Sequence, residues 1–147
     1  MHRHQVWAAT SLLAASLCLA GCGLTSAESA SGDAPSQVVP ITGTDRSRVV
    51  LTASAAGRLG IASQAVTALT VVPPQLTIPA SALIYDKNGK TWAYTTTQPL
   101  TYQREPVTVV RVEGDRAVLS AGPAVGTSVV TVGAAELLGT EYGVAGQ

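Results

Sequence analysis

Short β-branched runs separated by Gly, Pro, Asn and Asp set the pattern of residues 78–144. Residues 82–85 and 91–97 read as two strands joined by Asp86-Lys87-Asn88-Gly89-Lys90. Asn-Gly between such runs signals a hairpin, because both residues tolerate positive φ. In the second run Trp92, Tyr94 and Thr96 share a face by the two-residue period of a strand. That places Trp92 and Tyr94 in or at the edge of the core, opposite Leu83 and Tyr85. Beyond Pro99, residues 100–112 form the longest strand candidate, and Pro106 within it implies an edge position or a bulge. Gly114-Asp115 turns the chain, so residues 108–112 and 117–120 are expected to form a second hairpin. Residues 128–132 give a last strand and 134–138 a single helical turn. The tail after Gly139 is expected to be loose, with Tyr142 and Val144 free to pack back.

Upstream, Val49-Val50-Leu51 reads as a short strand. Residues 53–59 are Ala-rich and suit one or two helical turns, capped by Thr52 or Ser54 and ended by Gly60. Residues 61–72 then read as a strand that Pro73-Pro74 breaks, since proline cannot donate to a ladder. Residues 76–78 add a further short extended piece. Arg58 falls on the solvent face of the helical turns, with a lipid-headgroup contact as the alternative. About seven short strands at this spacing predict an all-β fold, a small sandwich or open barrel. Residues 47–72 and 75–142 are expected to form one unit.

Composition changes this picture in one respect. Apolar residues make up 46% of the chain, yet Phe is absent. The core is therefore expected to be thin and built from small and β-branched side chains. Net charge is zero and no basic block occurs, which argues against a nucleic-acid partner.

Residues 1–22 are organised differently. Arg3, His2 and His4 precede an apolar stretch from about Val6 to Leu19, too short to span a bilayer comfortably. It ends in Leu19-Ala20-Gly21-Cys22, which resembles the lipobox of bacterial lipoproteins. The resemblance implies a signal peptide over residues 1–21 and acylation of Cys22, anchoring the chain to the outer side of a cell membrane. Removal of residues 1–21 takes away Arg3, leaving eight Lys and Arg against nine Asp and Glu. It also removes Cys18, so no disulfide is expected. Residues 22–46 are rich in Ser, Ala, Gly, Thr and Pro and read as a disordered tether, with a root-mean-square reach of roughly 25–30 Å. The alternative is a docking segment centred on Val38-Val39-Pro40-Ile41.

Catalytic chemistry is hard to find. Both His and the single Met fall within residues 1–21. A Ser-His triad or a soft-metal site is thus not expected in the processed chain, and no phosphate-binding fingerprint occurs. Glu105, Glu113 and Asp115 fall at edge or turn positions and read as solvated, as do Lys87 and Lys90 beside their turn. The expectation is a non-enzymatic protein with no catalytic, cofactor or metal residues.

Ile78-Pro79-Ala80-Ser81-Ala82-Leu83, the Asn-Gly turn and Thr91-Trp92-Ala93-Tyr94 together resemble the membrane-proximal domain of periplasmic adaptor proteins. These are the membrane-fusion proteins of RND-type and related efflux pumps. Residues 106–112 are similar to the strand that follows in that family, and residues 121–133 to its closing glycine-rich signature. Residues 49–51 and 60–66 look like its opening stretch. In full adaptors a lipoyl-like domain, an α-helical hairpin and a β-barrel separate these two stretches, where this chain has only residues 68–75. The resemblance implies docking on the outer face of an integral membrane transporter, without the parts that reach an outer-membrane channel. The alternative is a free-standing lipoprotein that binds a small ligand or a cell-wall component in a pocket lined by Trp92, Tyr94 or Tyr102.

Overall fold

In a computed structural model, which describes residues 34–143, these runs become short antiparallel strands and two helices. Strands β1 (Ser36–Pro40) and β2 (Ser47–Leu51) precede α1 (Ala53–Leu59), β3 (Ala62–Ala65) and β4 (Thr67–Leu69). Next come β5 (Gln75–Pro79), a 3-10 turn (Ala80–Ala82), β6 (Ile84–Tyr85) and β7 (Thr91–Gln98). The order ends with β8 (Thr101–Pro106), β9 (Thr108–Glu113), β10 (Arg116–Ala121), β11 (Ser128–Val132) and α2 (Ala134–Glu141). A larger sheet runs β1-β2-β8-β7-β11-β3, with β6 also on β7, and a smaller one runs β4-β5-β10-β9. The chain is an all-β, sandwich-like domain with two short helices.

Residues 61–72 and 100–112, each expected as one strand, instead bend from one sheet into the other. The first bends at Val66, whose N–H donates to Thr127 O (2.9 Å) and whose carbonyl accepts from Gly126 N–H (2.9 Å). The second bends at Val107, just after Pro106, where the Val107 N–H donates to Thr91 O (3.1 Å). Proline is tolerated there because it stands at a corner and not inside a continuous ladder. Both valines point inward and are buried, so apolar burial holds each corner. With a shared bent segment at each end, the two sheets close around one core: Val66, Ile78, Ala82, Ala93, Val107, Ala117, Leu119 and Val129.

A second core lies on the other side of the larger sheet, beneath the helices. It gathers Val49, Leu51, Trp92, Tyr94, Tyr102 and Val130 against Ala55, Ala56, Ala134 and Leu137. The strand period sorts β7 between the two, Trp92 and Tyr94 to the helix side and Ala93 to the sheet side. Thr52 caps α1 by accepting the Ala55 N–H (3.1 Å), and Gly60 ends it. Gly133 starts α2 at φ 87°, a conformation that disfavours any side chain, and the Ile61 side chain occupies the space a Cβ would need.

Several expectations are corrected. Residues 36–46 are not part of a tether: β1 pairs with β2 from Ser36↔Leu51 to Pro40↔Ser47, and the connecting loop is closed by Ile41 N–H to Arg46 O (3.0 Å). Sheet pairing outweighs the loop-like composition there. The tether expected before residue 34, the signal peptide and Cys22 lie outside the described residues.

Residues 82–85 shorten to β6, and Ile84, not Leu83, stands opposite Trp92 while Tyr85 faces solvent. The 3-10 turn shifts the register by one residue, and such a slip exchanges the two faces. In the Asn-Gly turn only Gly89 has positive φ (75°), and its N–H donates to Asp86 O (2.9 Å). Asn88 needs no left-handed conformation because its own N–H is taken by Asp86 Oδ1 (2.8 Å). The single turn at 134–138 extends to Glu141, so Thr140 and Glu141 are helical and held, while Val144 lies outside the described residues.

Candidate functional site

The polar chemistry of the domain is concentrated where the β1–β2 loop, β7, β8 and α2 meet. Alternation along β8 places Tyr102 and Arg104 on the helix side, and Arg104 pairs with Tyr94 across β7. Ala134, Leu137 and Glu141 recur at helical spacing, so Glu141 faces the same layer. Arg104 Nε donates to Glu141 Oε1 at 2.9 Å, and both side chains are only 2% exposed. Glu141 Oε1 also accepts the Ser47 N–H (2.9 Å), and Oε2 accepts the Tyr94 hydroxyl (2.5 Å). Arg104 Nη2 donates to Asp45 O (3.0 Å), while Arg46 Nη1 donates to the Arg104 carbonyl (3.2 Å).

The guanidinium carbon stands 4.5 Å from the Trp92 ring centroid and 5.6 Å from that of Tyr142, so two rings share its charge. Arg104 Nη1 is buried without a partner among the described residues. Burial opposes the Arg104 charge, but the Glu141 carboxylate outweighs it and holds the guanidinium pKa above its ordinary value. Burial, reinforced by the hydrogen bond to Glu141, pushes the Tyr94 phenol far up, so Tyr94 remains a donor. The arrangement fixes the C-terminal helix to three strands and the β1–β2 loop. It is a clamp, with the Arg104 and Glu141 charges neutralising each other.

Neither Arg104 nor Glu141 was among the sequence-derived candidates. The signal for the first was an Arg at an inward position of an alternating strand. For the second it was a Glu on the apolar face of a short helix.

Trp92, Tyr94 and Tyr102 lie together, buried, in the helix-side core. The ligand-binding alternative therefore lacks its expected lining. Trp92 Nε1 donates to Asp86 Oδ2 (3.1 Å), and Asp86 Oδ1 accepts the Asn88 and Lys90 N–H groups (2.8 and 2.9 Å). Burial raises the Asp86 pKa, but these hydrogen bonds, from Lys90, Asn88 and Trp92, together hold it below its ordinary value. Lys87 and Lys90 remain exposed.

Arg58 is exposed and donates to Ser54 Oγ (2.6 Å). Glu105 accepts the Thr95 hydroxyl (2.9 Å), Glu113 pairs with Arg111 at the surface, and Asp115 sits in the β9–β10 turn. The three carboxylates are not brought together. Among the described residues no group of three or more His, Cys, Asp or Glu stands close enough to hold a metal ion. No described helix is long and apolar enough to cross a membrane. An open groove of about 150 Å³ lies between Gln64, Thr67, Thr77 and Arg116. In comparisons with known proteins, the chain matches no family model, no curated protein and no solved structure.

Proposed function

We propose that this chain is a lipid-anchored, non-enzymatic accessory protein whose β domain docks on an integral membrane transporter at the outer side of the membrane. The observation that carries the reading is the way two separated stretches interleave. β2 pairs with β8 and β3 pairs with β11, so residues 47–72 and 75–142 share both sheets. In the adaptor family that the sequence resembles, these two stretches flank the large inserted domains. Here they are joined by a tight exposed connection between β4 and β5, with Val72 99% exposed. A domain that could carry an insertion at that point without disturbing its core is what the resemblance requires.

The reading also rests on the lipobox-like ending at Cys22, which implies the anchor. The test is capture of the full chain from membranes in mild detergent, with Cys22→Ala as the comparison. Co-purification of a polytopic transporter subunit, lost or strongly reduced in Cys22→Ala, supports the proposal. A chain that elutes without any membrane partner contradicts it.

A further inference from the structure

The edges of the sheets are not equally protected. β9 carries Arg111 and Glu113, and its pairing with β10 is broken by register shifts. β3 and β4 are four and three residues long. Charge, irregularity, shortness and proline are devices that keep an edge from recruiting another strand, and β1 carries its one proline only at its last position, Pro40. β1 has none of them along Ser36 to Val39. Its five residues are uncharged, and they pair with β2 in an unbroken register. Among the described residues β1 has β2 as its one strand neighbour.

The outward groups of β1 can be assigned from the ladder. Thr52 N–H donates to Pro35 O, and Ile41 N–H donates to Arg46 O. Antiparallel pairs alternate between bonded and non-bonded, so residues 37 and 39 also direct their backbone groups to β2. The N–H groups of Ser36 and Val38, and the carbonyls of Ser36, Val38 and Pro40, therefore face outward. Pro40 is an acceptor position that needs no donor.

We infer that β1 pairs antiparallel with β1 of a second copy of this chain about a two-fold axis at Val38. In that register Val38 bonds Val38 of the second copy through both its N–H and its carbonyl. Each Ser36 N–H then donates to the opposite Pro40 carbonyl, so the missing proline N–H breaks no bond on which the pairing depends. Four hydrogen bonds form, and no charged side chain within either strand meets its like. Gln37 stands opposite Val39, which is 43% exposed, and Val38 is 41% exposed. Without residues 1–21 the chain carries eight Lys and Arg against nine Asp and Glu, a near balance that keeps the long-range repulsion between copies low. The contact is isologous, so it closes at two copies. It rests on the geometry of β1 and not on the transporter reading.

The experiment is oxidation of single-cysteine-addition variants of the full chain in mild detergent, with yields read relative to the parent, which has Cys18 and Cys22. Val38→Cys is expected to give a disulfide-linked dimer of twice the chain mass. Opposite Cα atoms in a bonded pair lie about 5.5 Å apart, within disulfide reach. Ser36→Cys is expected to give at least tenfold less product, because its two copies lie about 14 Å apart along the strands. Val38→Lys, which sets two ammonium groups against each other, is expected to lower the dimer fraction in sedimentation at least tenfold with unchanged circular dichroism. Equal yields at positions 36 and 38, a product with a different protein, or a monomeric parent would overturn the pairing.

Discussion

Arg104 and Glu141 form a buried ion pair at 2.9 Å between strand β8 and the last turn of α2, with both side chains 2% exposed. Breaking such a pair on one side leaves an uncompensated buried charge and costs about 3–5 kcal/mol. Arg104→Met and Glu141→Leu are each expected to lower unfolding stability by about that much in urea titrations. The double variant is expected to recover most of the loss, because two apolar groups replace two charges together. Additive losses would show that the two residues act independently.

Leu100 carries positive φ (59°) at the turn between β7 and β8, where such a conformation costs a side chain about 1–2 kcal/mol. Its side chain packs half-buried against the helix-side core, and its carbonyl accepts the Leu51 N–H (2.9 Å). Leu100→Gly removes contact and strain together, so the expected change in stability is below about 1 kcal/mol. Leu137→Ala, from a fully buried and unstrained position, is expected to cost about 2–5 kcal/mol. Comparable losses in the two variants would show that the turn stores no strain.

The Asp86 carboxyl is held below its ordinary 3.8 by the N–H groups of Lys90, Asn88 and Trp92, which outweigh the opposing effect of burial. A depressed folded pKa gives stability that is present above the unfolded value and lost as the pH falls through the folded one. The melting temperature of the parent is therefore expected to fall more steeply than that of Asp86→Asn as pH drops below 3.8. Parallel melting curves across that range would remove Asp86 from the account.

The two-part construction of the domain predicts that a fragment starting at Ile78 fails. It lacks β2, β3 and most of β5, leaving long edges on β8, β11 and β10 unpaired. That fragment is expected to aggregate, while one starting at Ala34 remains monomeric or dimeric and folded. Light scattering and circular dichroism distinguish the outcomes.

Much of this architecture was legible in local pattern. The Asn88-Gly89 and Gly114-Asp115 turns, the alternation that buries Trp92 and Tyr94, and the Thr52 and Gly60 caps all act over a few residues. What stayed hidden depends on distant partners. Nothing local at Val66 or Val107 says that the chain changes sheet there, because an inward valine suits either a straight strand or a corner. Ser36–Pro40 is loop-like by composition and becomes a strand through pairing with Ser47–Leu51. Arg104 and Glu141 look like ordinary surface charges until their periodic positions are compared, and their pairing spans 37 residues of chain. The functional reading draws on Cys22, which lies outside the described residues, and on the resemblance of residues 49–133 to adaptors, a pattern of sequence and not of contacts.

The proposed docking is tested most directly by cross-linking in intact cells, followed by mass spectrometry of the adducts formed by the full-length chain. The expected result is a covalent adduct between the β domain and an integral membrane transporter, depleted in cells carrying Cys22→Ala. Adducts confined to copies of the chain itself, or to soluble proteins, would contradict a transporter-docking lipoprotein.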